Sequence, residues 1–279
     1  MIPYRDFIRG PRLVPTIVAH RGAWHEAPEN SVQAILNAVE AGYEIVEIDV
    51  RRSRDDVLFI CHDETLDRMA GQNVIAEELT LAELKALRLK NKDGGEGHPF
   101  TDHQIPTLAE ALEAAKGRVY LDIDVKIGRD LTDASQLVSE HCMNDQVDLK
   151  IKVQTPEQAS DLLELQSANG IMVMPMTRFE EHNVDALIDL LAETGASIVE
   201  TKFDDLNTIA SRADRFRKAG LAVWVNTLDG VSCCGLTDTL GAQEPAAVWG
   251  RLMDAGVSVI QTDEPEALQA YRSQLAKVA

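Results

Sequence analysis

Four short groups of residues near the start of the chain carry side chains able to do chemistry together. They are His20-Arg21-Gly22, Pro28-Glu29-Asn30, Glu47-Ile48-Asp49 and His62-Asp63. Histidine exchanges protons near neutral pH. Clustered carboxylates hold hard divalent cations such as magnesium or calcium through oxygen. An arginine next to a glycine can follow a tight turn and present its guanidinium fork to an anionic oxygen. Together these residue types point to metal-assisted chemistry on an anionic ester.

Such groups act only if regular elements bring them to one place. Short β-branched runs predict strands at 16–20, 45–50, 119–124, 149–154, 171–176, 197–202, 222–227 and 258–262. Helical patterns fall between them at 31–41, 107–115, 156–168, 183–194, 207–219 and 246–255. Eight strands, most followed by a helix, predict an α/β protein of the (β/α)8 TIM barrel type rather than a doubly wound sheet. The 279 residues suit one such domain, 1–279. Gly42, Gly117, Gly170, Gly195, Gly220 and Gly256 stand where helices should end before the next strand. One interval breaks the rhythm, a small insertion after strand 2 at about 51–106. It holds an extra run at 57–61 that Asp55-Asp56 can turn back as a hairpin, a short helix near 81–88 and a polar, glycine-rich loop at 90–97.

Side chains alternate along a strand, so Glu47 and Asp49 share a side, as do Asp122, Asp124 and Lys126. Glu47, Asp49 and Asp124 can form an oxygen site for a cation. They equally suit a solvated rim, or internal ion pairs with Arg51 and Lys126. His20 closes the first strand and His62 closes the extra run, the latter beside Asp63. Arg21 reads either as a phosphate ligand or as an ordinary surface arginine. Glu200 and Lys202 share a face at the end of the sixth strand, where a salt bridge between them is the simpler expectation. Trp224 and Asn226 share a face of the seventh, and Trp224 suits a leaving-group pocket or a core position. His25, His98, His103, His141 and His182 lie in polar or helical contexts and receive no role.

Composition narrows the partners. The formal charge of −19 argues against nucleic acid and anionic membrane, which reward basic surface. It also repels a phosphate at long range, so local cations must overcome that field. Cys61, Cys142, Cys233 and Cys234 show neither disulfide nor zinc spacing. No run approaches the roughly 20 apolar residues of a membrane span, and the first ten residues lack an apolar leader, so the expectation is a cytoplasmic protein with no stable membrane insertion. Oligomeric state is not legible.

The ordered set His20-Arg21-Gly22, Pro28-Glu29-Asn30-Ser31, Glu47-Ile48-Asp49, His62-Asp63 and Thr65-Leu66-Asp67-Arg68 resembles the glycerophosphodiester phosphodiesterases. The likeness continues through Ile105-Pro106-Thr107-Leu108-Ala109-Glu110-Ala111-Leu112 and Asp124-Val125-Lys126 to Gln261-Thr262-Asp263. The resemblance implies a (β/α)8 barrel and one divalent cation, Mg2+ or Ca2+, held at the positions of Glu47, Asp49 and Asp124. It implies that His20 and His62 act as acid and base, that Arg21 and Lys126 bind phosphate, and that Glu29 lies near the metal. Asp122, Glu200 and Lys202 are candidates to support these groups from behind, and Trp224 to contact substrate. Asp124 departs from the family pattern, which more often reads Glu-x-Lys; the related sphingomyelinase D enzymes share Asp-x-Lys.

The expected reaction is hydrolysis of a small-molecule phosphodiester to a phosphomonoester and an alcohol. A glycerophosphodiester is the first substrate expected; a sugar phosphodiester such as an agrocinopine-like opine, or a lysophospholipid, is the alternative. A non-catalytic barrel that binds a phosphorylated ligand is the competing reading from another class, and a phosphosugar aldolase or isomerase using Lys202 a third. Both the substrate's own neighbouring hydroxyl and a polarised water suit as nucleophile. Substrate choice is expected to lie in 90–103 and 229–244.

Overall fold

The computed structural model describes residues 1–10 and 14–275. Its strands are β1 (Thr16–Ala19), β2 (Ile45–Arg52), β3 (Leu58–Ile60), β4 (Thr65–Leu66), β5 (Gln72–Ile75), β6 (Tyr120–Val125), β7 (Val147–Lys152), β8 (Met172–Arg178), β9 (Ile198–Lys202), β10 (Ala222–Asn226) and β11 (Val257–Thr262). Setting aside β3, β4 and β5, eight strands alternate with helices, as the (β/α)8 pattern requires. No helix among the described residues is long and apolar enough to cross a membrane.

The chain forms two compact units. One is Ala19–Leu149 with Met1, the other Ile2–Val18 with Lys150–Ala279. In the first, β2 and β6 run parallel, with Glu47 opposite Asp122 and Asp49 opposite Asp124. Ile45, Val46, Ile48 and Val50 are buried along β2, as are Leu121, Ile123 and Val125 along β6. A strand apolar on both faces is typical of a covered parallel sheet. In the second unit, β8 pairs with β9, β9 with β10 and β10 with β11, all parallel.

Local chemistry sets the helix ends. Ser31 accepts a hydrogen bond from the Ala34 amide at the start of helix Val32–Ala41. Thr107 and Glu110 form a capping box at helix Leu108–Ala115, and Thr155 caps Pro156–Asn169, which has proline at its start. Gly42 and Gly170 end their helices at φ of 76° and 67°, in the left-handed region where a side chain would be strained.

The insertion is a small structure of its own. Asp56 turns at φ 63° and β3 returns antiparallel on β2, placing Ile60 opposite Val50. A second hairpin, β4–β5, was not legible because strands of two and four residues show no periodicity. Phe59, Leu66, Met69, Leu84, Leu89 and Ile105 pack into a core beneath it.

Several helices differ from expectation. The run 207–219 divides into Asn207–Ala210 and Ala213–Lys218 because Arg212 leaves helical geometry, with its guanidinium held by both oxygens of Glu181 at 2.8 and 2.6 Å. Helices Leu131–Glu140 and Asp238–Gln243 were not anticipated from the sequence.

Asp238 ties the 228–244 loop to the ends of β10 and β11. Its carboxylate accepts from the Thr227 hydroxyl (2.6 Å), the Thr262 hydroxyl (2.5 Å) and the Asp263 amide (2.7 Å). Burial pushes this carboxyl up to about 6, against the hydrogen bonds that oppose the rise. A raised carboxyl contributes stability present below its unfolded pKa and lost as pH rises through about 6; the difference, about two units, corresponds to roughly 2–3 kcal/mol. Denaturant unfolding from pH 4 to 8 should therefore show the wild-type advantage over Asp238→Asn shrinking through pH 6. A difference constant with pH would refute this assignment.

Candidate active site

The first unit brings eight of the anticipated residues together. Arg21 follows β1 in the left-handed region at φ 56°, and Gly22 continues the turn at φ 87°. A Cβ on Gly22 would lie 2.8 Å from Ala34, so the close approach of this turn to helix Val32–Ala41 requires glycine. The turn aims the Arg21 amide at Glu47 Oε2 (3.2 Å) and its guanidinium at Glu29, whose two oxygens both lie 3.0 Å from Nη1. Arg21 Nε lies 3.3 Å from Asp49 Oδ2, an ion pair by distance without hydrogen-bond alignment.

The register of β2 and β6 supplies the carboxylates. Oxygen atoms of Glu47, Asp49 and Asp124 lie within 4.8 Å of one another, with Glu47 and Asp49 buried. Lys126 reaches back from beyond β6 to Asp49 (2.5 Å) and Asp124 (2.7 Å). Burial works against the charge of Asp49, yet Lys126, Arg21, His62 and His20 hold its carboxyl well below the usual carboxylate range. Burial likewise opposes the charge of Lys126 and Arg21, but the surrounding carboxylates raise both above their ordinary values. Of the ion pairs expected for this cluster, those with Lys126 are present, while Arg51 instead donates to the His62 carbonyl (2.8 Å) and Glu77 (2.9 Å). The donor set also fits a hard cation: three carboxylates converge, and only oxygen ligands are offered. Asp122 is fully buried on β6 opposite Glu47.

The two histidines are held differently. His20 Nε2 stands 3.9 Å from Glu47 Oε2. His62 Nδ1 lies 2.7 Å from Asp63 Oδ1. Burial opposes the charge of Asp63, but hydrogen bonds from His62 and Arg68 keep its carboxyl well below the ordinary range. Burial also pushes the neighbouring Cys61 thiol up to about 12, so it remains a protonated core residue.

Three residues had not been given roles from sequence. Asn30 sits at φ 53° and pairs reciprocally with Asp49: its Nδ2 donates to Oδ2 (2.7 Å) and its Oδ1 accepts from the Asp49 amide (3.1 Å). Arg68 joins Asp63 to Glu29, at 2.6 Å to each. Asp63 orients His62. All three lay inside recognised motifs, but only tertiary contact shows what they touch.

Trp224, Glu200 and Lys202 belong to the second unit. The expected Glu200–Lys202 bridge is absent. Glu200 is buried and pairs with the buried Lys150 at 3.4 Å, while Lys202, at the end of β9, is exposed. A carboxylate taken out of water needs a cation that is also out of water, and a lysine at the strand end keeps its own hydration instead. Trp224 is fully buried, and its indole donates to Asn226 Oδ1 (2.7 Å), which in turn donates through Nδ2 to Glu200 (3.2 Å). Of the histidines assigned no role, His98, His141 and His182 pair with Asp93, Glu113 and Glu180.

Asn30 offers a direct test of the buried carboxylate's support. Asn30→Ala removes two hydrogen bonds, about 1 kcal/mol each, and adds roughly 1–2 kcal/mol of left-handed backbone cost. Asn30→Gly removes the same bonds without that cost. Chemical denaturation should place the glycine variant above the alanine variant by about 1 kcal/mol, with both below wild type. Equal stability of the two variants would contradict the backbone argument.

Comparison with known proteins gives the family and the fold. Residues 20–267 match the model of the glycerophosphoryl diester phosphodiesterase family. A glycerophosphodiester phosphodiesterase of Caldanaerobacter subterraneus subsp. tengcongensis is 35% identical over 113 residues, covering 40% of this chain and 45% of that protein. The matches span less than half the length of such curated relatives. A crystal structure of a glycerophosphoryl diester phosphodiesterase from Parabacteroides distasonis shares the fold at a TM-score of 0.79 and 22% identity, covering 99% of this chain and 93% of that one. A glycerophosphodiester phosphodiesterase from Agrobacterium tumefaciens gives a TM-score of 0.65 at 25% identity, covering 92% and 100%. The match of nearly the whole chain, with the carboxylate cluster and both histidines inside it, makes the protein a member of the glycerophosphoryl diester phosphodiesterase family.

Proposed function

We propose that the protein hydrolyses a glycerophosphodiester to a phosphomonoester and an alcohol, with one divalent cation, magnesium or calcium, held by Glu47, Asp49 and Asp124. The observation that carries this reading is the convergence of those three carboxylates with Arg21 and Lys126 at their edge. A phosphodiester is anionic and resists attack by a nucleophile. When bound, the cation supplies positive charge that offsets the substrate's and favours the more negative transition state.

The remaining work falls to the chain's own side chains. Arg21 and Lys126 now share carboxylates, and a bound phosphate oxygen would take over part of that pairing. Holding the diester there also answers the repulsion expected from a net charge of −19. His20 and His62 take a proton from the nucleophile and give one to the leaving alkoxide. Asp63, ionised, can only accept from His62, which places the proton on Nδ1 and leaves Nε2 for transfer.

The deciding experiment follows phosphorus NMR of glycerophosphocholine, glycerophosphoethanolamine, a sugar phosphodiester and a lysophospholipid with magnesium or calcium, then with EDTA. A new phosphomonoester resonance from a glycerophosphodiester, abolished by EDTA, is the expected result. Turnover of only the sugar diester or the lipid would reassign the substrate, and none at all would remove the activity.

Two substitutions test the assigned roles. His20→Ala and His62→Ala should each lower kcat by about 10²–10⁴-fold with unchanged circular dichroism; a variant keeping most of its activity would take that histidine out of the mechanism. Glu47→Gln should weaken magnesium or calcium affinity measured by titration calorimetry. Unaltered affinity would contradict its place as a ligand.

A further inference from the structure

Arg68 occupies an unusual position between the two halves of the site. Its Nε donates to Asp63 Oδ2 (2.6 Å) and its Nη2 to Glu29 Oε1 (2.6 Å). Asp63 holds His62 through its other oxygen (2.7 Å), and Glu29 holds Arg21 through both of its oxygens (3.0 Å). An unbroken chain of charged partners thus runs Arg21, Glu29, Arg68, Asp63, His62. The third arm of the fork, Nη1, donates to the Asp93 carbonyl (2.5 Å), and the Gly95 amide donates to the Arg68 carbonyl (2.8 Å). A Cβ on Gly94 would stand 2.5 Å from that same carbonyl, so the loop at 90–97 packs directly on Arg68. Glu29 is tied to this loop as well, because its amide donates to the Lys92 carbonyl (2.9 Å).

We propose that Arg68 is a positioning residue for the phosphodiesterase site. Through Asp63 it fixes the His62 ring in the Nδ1–H form, and through Glu29 it sets the direction of the Arg21 guanidinium. The assignment rests on the proposed reaction for its catalytic consequence, but the orientation of His62 exists without substrate. A guanidinium suits the task because its planar fork meets two carboxylates and a carbonyl at once. A lysine presents a compact charge and reaches fewer of these partners in fixed geometry. The pairing also gives Asp63 and the almost wholly buried Glu29 a shared cationic partner beside the carboxylate cluster. Partners that orient a reactive group from behind are worth about 10–100-fold when removed.

The test compares wild type, Arg68→Ala, Arg68→Lys and Asp63→Asn. The tautomer of His62 is read from the ring nitrogen shifts of the 15N-labelled protein without substrate, and kcat and KM are measured on glycerophosphocholine with the cation present. Wild type should show one Nδ1–H tautomer. Arg68→Ala and Asp63→Asn should show a mixture and a kcat lower by about 10–100-fold. Arg68→Ala alone should also raise KM, since only it releases Glu29, and Arg68→Lys should recover part of kcat. A single unchanged tautomer in Arg68→Ala, or a kcat within twofold of wild type, would overturn the proposal. Should Arg68→Ala fail to fold, Asp63→Asn and Arg68→Lys decide the tautomer arm, and a single tautomer in both overturns it. If wild type turns over no diester, the hydrolase reading fails, while the tautomer measurement still decides whether Arg68 positions His62.

Discussion

Asp49 is a charged carboxylate with almost no exposure to water, at the centre of a site that has two further acids beside it. Removing an ion from water is costly unless other charges and hydrogen bonds replace the lost hydration. Lys126 and Arg21 supply the charge, and Asn30, from a strained backbone, donates one hydrogen bond to the carboxylate and accepts one from the Asp49 amide. The arrangement around it follows from that requirement. Arg21 must leave β1 through a left-handed turn to reach Asp49, and the turn needs Gly22 because helix Val32–Ala41 passes so close.

Each compensating cation then needs anions of its own. Arg21 is held by Glu29, Glu29 also by Arg68, and Arg68 by Asp63, so balance is reached only where Asp63 meets His62 at the more exposed edge. This links the insertion to the strands in physical terms. β3 and the hairpin β4–β5 bury a small apolar core that carries Cys61, Leu66 and Met69, and His62, Asp63 and Arg68 between them join the charged chain. The insertion therefore does more than cover the sheet, since it contributes one histidine and the arginine that orients it.

The second unit solves the same problem on a smaller scale. Lys150 and Glu200 are buried together, and Asn226 links the carboxylate to Trp224. Such buried pairs are weak evidence of added stability, because desolvation offsets much of their attraction. Their clearer effect is to hold particular rotamers in an interior that also buries Trp249, Phe179, Phe203 and Phe216.

The chain's local pattern was enough to determine its architecture. β-Branched runs, threonine and serine caps and glycine stops act over a few residues, so they locate eight strands and most helices from sequence. Strand alternation likewise put Glu47 with Asp49, and Asp124 with Lys126, while the family resemblance singled out Arg21 and both histidines. Local pattern could not determine partners. Glu200 takes Lys150 instead of Lys202, Asn30 takes Asp49, and Arg68 bridges residues 39 and 5 positions away. Those choices depend on which charges are desolvated together, and desolvation is a property of the packed interior. The sequence by itself determined the elements and the kinds of chemistry they carry; only the tertiary structure decided which charges answer one another, because burial sets the cost of leaving any of them alone.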